Sequence, residues 1–352
     1  LMNIPNGHPY IRVRDLNNKR LLELDNSYEY VDNETQKVIS KYTVKTGDVV
    51  LSIVGTIGLV AIVGRTLDGA NLTENCVKLS SFHGVNRDFL YYYLRSDCGQ
   101  QEIRCGTVGA VQAKLPIKNI QNIAINLPDY TTQERIASLL LSIDRKIELN
   151  QKINDNLEQQ AVALFKSWFV DFSLFGGTVP ENWEDTTLEN ITTLITRGIA
   201  PKYSDNSDQT VVNQKCIRNH TIDLSLARTH TPKAINEKWL KFGDLLINST
   251  GDGTLGRVAQ VWFTPKSLTV DSHVTIVRPA REELIFYIGL WGILHEKEIE
   301  SLHTGSTGQT ELPRDRLKML KLLLPDNISL SRFNSIITPM ASTIISNQEE
   351  NQ

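Results

Sequence analysis

Side chains able to do covalent or metal chemistry are few and scattered along this chain. Cys76, Cys98, Cys105 and Cys216 show no Cys-x-x-Cys spacing, so neither a zinc site nor a disulfide framework is expected, and the four read as cytosolic thiols. His273, His295 and His303 have no metal-ligand spacing and read as surface or packed histidines. There is no Gly-x-x-x-x-Gly-Lys-Ser/Thr loop, no His-Glu-x-x-His pair and no Asn-Pro-Pro-aromatic motif, so no catalytic centre, cofactor or metal is expected. The backbone remains. The glycine-rich turns Gly106–Gly109 and Gly305–Gln309 set amides beside Thr and Gln, which suits either close approach to a phosphate or base, or simply a tight turn.

The elements that position these turns are duplicated. Lys45-Thr46-Gly47-Asp48, followed by Val49 to Gly58, recurs as Lys241-Phe242-Gly243-Asp244 followed by Leu245 to Gly256. Gly106 to Asp129 is answered by Gly305 to Asp326, and in both copies twelve residues separate a first Leu-Pro (Leu115-Pro116, Leu312-Pro313) from a second (Leu127-Pro128, Leu324-Pro325). A repeat this long makes the fold two copies of one unit. Runs such as Val49 to Ile53, Leu59 to Val63 and Val258 to Trp262 are β-branched and bounded by glycine, as strands with tight turns should be. Phe89, Tyr91, Tyr92, Tyr93 and Leu94, and in the second copy Phe286, Tyr287, Leu290 and Trp291, lie at helical spacing and read as helix-to-sheet core.

A helical pattern follows each second Leu-Pro. Ile136, Leu140, Ile143, Ile147, then Asn150 and Asn154, then Leu157, Ala161, Leu164 and Trp168 alternate steps of four and three, the seam of a coiled coil. Thr131 with Glu134 forms an expected capping box, and Gly176-Gly177 before Pro180 ends the segment. The helix from Thr131 to Phe172 extends about 60 Å, and its stripe needs a partner. Phe333, Ile336, Ile337, Met340, Ile344 and Ile345 supply one. Two antiparallel helices, one after each copy, bury both stripes, although Pro339 should kink or end the second. The fold expected is α+β, with two β-rich domains at 1–128 and 178–325, a spacer helix over 129–177 and a shorter one over 326–352.

Net charge argues neither way about partners. The total is −3, with 37 Lys and Arg against 40 Asp and Glu, which gives no bulk sign of nucleic-acid binding. No apolar run approaches a membrane span, and Asn3, Pro5, Asn6 and His8 interrupt any leader peptide.

The order of these motifs, duplicated around a long amphipathic helix, resembles the specificity subunit of type I restriction–modification enzymes over nearly the whole chain. The carrying residues are Gly47 to Ser52 with Gly55 to Gly58, Gly243 to Ser249 with Gly253 to Gly256, the two Leu-Pro segments, and the helix start from Pro128 to Ile136. The second copy also opens with Val179 to Tyr203, which has no counterpart before Leu1. The resemblance implies two target-recognition domains that each read one half of a bipartite double-stranded DNA target. It implies helices that act as ruler and docking surface for methyltransferase subunits, with a restriction or translocase subunit as a further partner, and no catalytic centre of its own.

Under that resemblance, phosphate and base contacts fall to Arg12, Arg14, Lys41, Arg65, Arg104 and Lys114 in the first copy. In the second they fall to Arg197, Lys202, Lys215, Arg218, Asn219, His220, Arg228, Arg257 and Gln309. Tyr10-Ile11-Arg12 and Cys216-Ile217-Arg218-Asn219 occupy similar places in the two copies. Ile136, Leu140, Ile143, Ile147, Leu157, Leu164 and Trp168 are the expected partner-docking residues. A cytoplasmic location follows. The rival reading is a protein-interaction scaffold, two β-rich modules joined by a coiled coil with no DNA involved, and a solitary nuclease or methyltransferase lacks the motifs.

Overall fold

A computed structural model describes every residue except Asn3, Ile4, Asn6, Asn18, Ala110, Val111, Asp252, Ser306–Gln309 and Gln352. The described residues form two units, Leu1–Lys146 and Ile147–Gln352. The first holds strands β1 (Pro9–Ile11), β2 (Leu21–Leu22) and β3 (Glu29–Tyr30), helix α1 (Asn33–Ile39), strands β4 (Val49–Ser52), β5 (Val60–Val63), β6 (Asn71–Leu72) and β7 (Cys76–Leu79), and helices α2 (Arg87–Arg95), α3 (Asp97–Gly106) and α4 (Ile117–Gln121). Helix α5 (Tyr130–Phe169) runs from the first unit into the second. The second unit continues with strands β8 (Glu184–Thr187), β9 (Thr192–Arg197), β10 (Thr210–Val212), β11 (Ile217–Arg218), β12 (Thr221–Ile222), β13 (Arg228–Thr229), β14 (Leu245–Asn248), β15 (Val258–Gln260), β16 (Leu268–Val270) and β17 (Val274–Pro279). Helices α6 (Ile285–Leu294), α7 (Glu296–Ser301) and α8 (Arg314–Lys318), strand β18 (Lys321–Leu324) and helix α9 (Asn327–Glu350) complete it.

The repeat is realised bond for bond in the turn that enters each central strand. Asp48 Oδ2 accepts from the Lys45 amide at 2.9 Å, and Asp244 Oδ2 accepts from the Lys241 amide at 2.8 Å. The Gly47 and Gly243 amides donate to Val63 and Val261, whose own amides donate back to the Asp48 and Asp244 carbonyls. The aspartates are buried, and each has a cation on the neighbouring strand: Arg278 grips Asp244 with two bonds of 2.7–2.8 Å, while Lys78 stands 4.0 Å from Asp48. A buried carboxylate needs such partners to offset its lost hydration.

From that turn the same sheet grows twice. The antiparallel sets β5-β4-β7 and β15-β14-β17 correspond, and so do β3-β1-β6 and β13-β10-β16, each with one antiparallel and one parallel pair. This register corrects one alignment. Tyr10 and Ile11 pair with Asn71 and Leu72 as Val211 and Val212 pair with Thr269 and Val270, so Arg12 corresponds to Asn213 and not to Arg218. Helices α2 and α6 press Phe89, Tyr91 and Leu94, and Phe286, Tyr287, Leu290 and Trp291, into their units' cores. The units differ at both edges of this sheet: β2 pairs with β5 in the first and β9 with β17 in the second, whereas among the described residues β7 pairs only with β4 and β15 only with β14.

Both long helices start from the same cap. Asp129 accepts from the Thr132 amide and hydroxyl; Asp326 accepts from the Ile328 and Ser329 amides and the Ser329 hydroxyl. The start is therefore the aspartate of Leu-Pro-Asp, two residues before the capping box expected at Thr131, because its carboxylate reaches a free first-turn amide. Helix α5 ends at Phe169 rather than Phe172, which sits in the left-handed region at φ 51°. Pro339 is exposed and α9 runs through it; on the outer face the carbonyl it leaves unpaired can be hydrated.

Within the second unit α5 and α9 pack antiparallel. Asn154 Oδ1 accepts from Asn347 Nδ2 at 2.8 Å, and Asn150 Nδ2 donates to Asn351 Oδ1 and Glu350 Oε2 at 3.0 Å. These buried amides satisfy one another and fix register, as polar seam residues do. Toward the other end Phe165, Trp168 and Phe169 meet Phe333 at ring-centroid distances of 4.8–6.1 Å. Phe169 also packs on Trp183 and Tyr287, so this end of α5 belongs to the second unit's core.

Asp326 additionally accepts from Trp183 Nε1 at 2.8 Å. Burial opposes its ionisation, but the Ser329, Trp183 and Ile328 bonds prevail and hold the carboxyl at about 2. Its contribution is therefore complete above the ordinary aspartate range and lost as pH falls toward 2. Asp326→Ala is expected to lower stability by about 1 kcal/mol at neutral pH, seen as a lower urea midpoint with unchanged slope, and to cost more than Asp129→Ala, which loses a cap without an indole partner.

Candidate nucleic-acid interface

The two glycine-bearing segments of each copy come together at one end of its sheet. In the first unit Val54 bridges to Lys114, Lys114 bridges to Val108, and the Leu115 amide donates to Ile53 O at 2.9 Å. In the second, Thr250 bridges to Glu311, Glu311 bridges to Thr304, and the Leu312 amide donates to Ser249 O at 2.9 Å. The Leu-Pro segment thus extends the end of the central strand, and the β4–β5 and β14–β15 loops lie beside it. Gly256 has φ 86°, and a Cβ there would stand 2.9 Å from the Glu300 backbone on α7; at Gly58, φ 93°, it would meet the Gln100 side chain on α3 at 2.8 Å. Only glycine lets these loops turn and lie this close to a helix.

The structure sorts the proposed contact residues. Lys114 and Arg104 are exposed in the first unit, Lys114 at the loop end and Arg104 on α3 with its guanidinium on Gln101 Oε1. Lys41, over the Tyr42 ring at 4.8 Å, and Arg65 lie by the Asp48 turn, the opposite end of β4, so they are not brought together with Lys114. Arg12 is committed elsewhere. It is bonded to Asp15, Glu29 and the Ser27 carbonyl with a largely buried side chain, and it serves the fold. Arg14 shares Asp15 and Glu29 but stays 61% exposed.

In the second unit Arg197 is bonded to Glu311 at 2.7 Å and to Leu312 O at 3.0 Å, holding the Leu-Pro segment. With Thr196, Gly198, Lys238 and Arg314 it lines a polar cleft of about 230 Å³. Arg257 donates to Gly253 O in the β14–β15 loop at 2.8 Å. Gln214 accepts from Asn248 and Thr250, and Thr250 bonds His273 Nδ1 at 2.7 Å. Sequence spacing could not single out Gln214, His273, Lys238 and Arg314, because only the folded sheet gathers them. Lys215 and Arg218 are exposed nearby in sequence. Lys202 is exposed, and Arg228 stacks on the Tyr203 ring at 3.7 Å, a pair of flat surfaces exposed to solvent. Gln309 lies outside the described residues, as does most of Gly305–Gln309.

Asn219 and His220 form the tip of the β11–β12 hairpin, with Arg218 opposite Thr221. Both tip residues have positive φ, 51° and 59°, the pattern of a two-residue type I′ turn. Asn219 is exposed, but His220 is turned back onto Glu296, so it is not a free contact residue.

The docking row divides in the same way. Ile136 and Ile143 are 38% and 49% exposed, and Leu140, Ile147 and Leu157 are half-buried. Leu164, half-buried, packs against the second unit's core and Trp168 is buried in it, so Trp168 is not available to another chain. Sequence missed Phe165 and Phe169, which lie beside the seam yet are both buried in the second unit's core.

Two copies of one loop-bearing α+β unit, each leading into a long capped helix, define a duplicated recognition scaffold. Residues 3–159 match the type I restriction modification DNA specificity domain. The chain is 24% identical to the type I restriction enzyme MjaIX specificity subunit of Methanocaldococcus jannaschii over 368 residues, covering 97% of this chain and 82% of that protein. A 71-residue stretch is 45% identical to the HindI specificity subunit of Haemophilus influenzae, covering 20% of this chain and 15% of that one. The crystal structure of a type I restriction-modification system S subunit from M. genitalium shares the fold with a TM-score of 0.55 at 15% identity, over 98% of this chain and 84% of that one. The chain is thus similar to specificity subunits of type I restriction enzymes over nearly its whole length, and residues 3–159 carry the match to the DNA specificity domain.

Because Arg12 answers buried Asp15, Arg12→Ala is expected to destabilise the first unit by about 1–3 kcal/mol while leaving the salt dependence of nucleic-acid binding unchanged. Thermal unfolding and a binding titration on the same protein separate the two effects.

Proposed function

We propose that this chain is the DNA sequence-specificity subunit of a type I restriction–modification system, with each β-rich unit reading one half of a bipartite duplex target from its loop end. The observation that carries the reading is the duplicated junction of the glycine loop with the Leu-Pro segment, through Lys114 in one unit and Glu311 in the other. Target-recognition domains at 1–128 and 178–325, with helices over 129–177 and 326–352, are the division this reading uses.

Lys114 and Arg104, and in the second unit Lys215, Arg218 and the cleft cations Lys238 and Arg314, supply phosphate contacts, with Arg14, Lys41, Arg65, Lys202, Arg228 and Arg257 farther out. Asn219 and Arg218 are suited to base edges, since an exposed amide or guanidinium can make paired bonds in the major groove. Near-neutral total charge is compatible with this when the exposed cations gather on one face and the acids lie on others. The helices set the distance between half-targets, and Ile136, Leu140, Ile143, Ile147 and Leu157 offer docking area to methyltransferase subunits. Methyl transfer and cleavage belong to those subunits and to an associated restriction or translocase subunit, and the assembly is cytoplasmic. No helix among the described residues is long and apolar enough to cross a membrane. The non-DNA scaffold gains no support from the relatives.

Assembled with its methyltransferase subunits, the protein is expected to discriminate its target from scrambled duplex, with affinity falling as salt rises because phosphate contacts release counterions. Arg218→Ala should cost about 1–3 kcal/mol against changes in one half-target only. A flat salt response without sequence preference would refute the reading, and equal loss on every sequence would make Arg218 a phosphate contact.

A further inference from the structure

The β11–β12 hairpin is a two-stranded ribbon with two residue pairs, and such a short ribbon has little stability of its own. Ile217 and Ile222 seat its base in the second unit's core, and the tip beyond them needs a hold of its own. His220 Nε2 lies 3.4 Å from Glu296 Oε2 at the start of α7, with both side chains about one-third exposed. Glu296 is itself fixed, since its Oε1 accepts from the Val258 amide of β15 at 2.7 Å. Glu158 on α5 also faces the imidazole electrostatically. The remaining charged neighbours are Arg257, which acts on Glu296, and Asp155, one turn from Glu158 on α5. His220 thus joins the hairpin to α7, with the charge of Glu158 on the long helix acting on it from a distance.

We propose that His220 is a positioning residue, which holds the β11–β12 tip against α7 so that Arg218 and Asn219 are presented to DNA in one fixed pose. This deepens the proposed function and rests on it. A free tip would sample many orientations, and ordering it on binding would subtract from discrimination. The left-handed backbone at both tip residues turns the His220 side chain toward α7 while Asn219 stays exposed.

The tether depends on protonation. The hydrogen bond to Glu296 raises the imidazole above its ordinary value, burial opposes this, and the Glu296 and Glu158 charges add to the rise. Burial pushes Glu296 up, but the His220 and Val258 bonds outweigh it and hold this carboxyl below its usual range. Burial and then Asp155 raise Glu158. A cation so held contributes fully below the ordinary histidine range, and the contribution disappears as pH rises through the elevated value.

The test uses the full chain assembled with its methyltransferase subunits, titrated from pH 6 to pH 9 with target duplex and with duplexes changed in one half-target at a time. Wild type should lose about fivefold of its discrimination in the second unit's half-target over that range, the scale of a half-exposed charged contact. Discrimination in the other half-target should hold. His220→Asn, which tolerates the left-handed backbone, should show the reduced discrimination at every pH. Glu296→Gln, which keeps the acceptor for Val258, should do the same, and His220→Lys should restore discrimination with no dependence in this range. Hydrogen exchange of the Arg218 to Thr221 amides, read without DNA, should quicken in His220→Asn, with unchanged thermal unfolding as the check on folding. If wild type discriminates but His220→Asn matches its pH profile and its exchange rates, the tether is refuted while the recognition function stands. Absence of sequence preference in wild type at all pH values would instead strike the recognition reading, leaving the exchange experiment to decide the tether.

Discussion

The second unit depends on the cluster around Phe169, which touches Phe165, Trp168, Trp183, Tyr287 and Phe333. Those rings come from α5, from the segment after it, from α6 and from α9. A recognition surface is useful only if its frame does not rock, and tilted and edge-on aromatic contacts fix orientation as well as burying area. Trp183 extends the network to the cap of α9 through Asp326, so the helix pair and the sheet-bearing core are fastened at one place. The amide pairs of Asn150 and Asn154 then set the register farther along the helices.

From that frame the repeat delivers its loops in a reproducible way. The turns built on Asp48 and Asp244 start the central strands, and the strands end where the Leu-Pro segments join them. The same ends carry loops that turn on the positive φ of Gly58 and Gly256, and at Gly256 the backbone of α7 leaves no room for a Cβ. Conserving strand and turn while varying loop side chains is how one architecture presents two different surfaces: Lys114 stands where Glu311 does, and Glu311 is itself taken up by Arg197. The two units can therefore share a fold and differ in what they contact.

The duplication, the antiparallel helices and the inward aromatics of α2 and α6 were legible because each leaves a periodic or repeated trace in the sequence. The fate of individual charges was not. Arg12 and Arg218 look alike beside similar apolar neighbours, yet the first is paired with Glu29 of the neighbouring strand β3 and the second lies on an exposed hairpin. His220 reads as a contact residue until its partner, 76 residues later, is known, and Trp168 fits a coiled-coil seam although the core claims it. Long-range pairing decides these cases, and a linear sequence does not display it. The caps show a milder form of the problem: Thr131 and Glu134 match a capping box, but Asp129 caps the helix two residues earlier, through the Thr132 amide.

The central claim, that two β-rich units each read one half of a single DNA target, is tested most directly by mapping modified bases across the genome of the source strain with and without this gene. The account predicts that exactly one bipartite modified motif, two short specified parts around an unspecified gap, is lost with the gene and returns when it is restored. An unchanged set of modified motifs in a strain whose methyltransferase subunits are expressed, or loss of a single continuous motif, would contradict it.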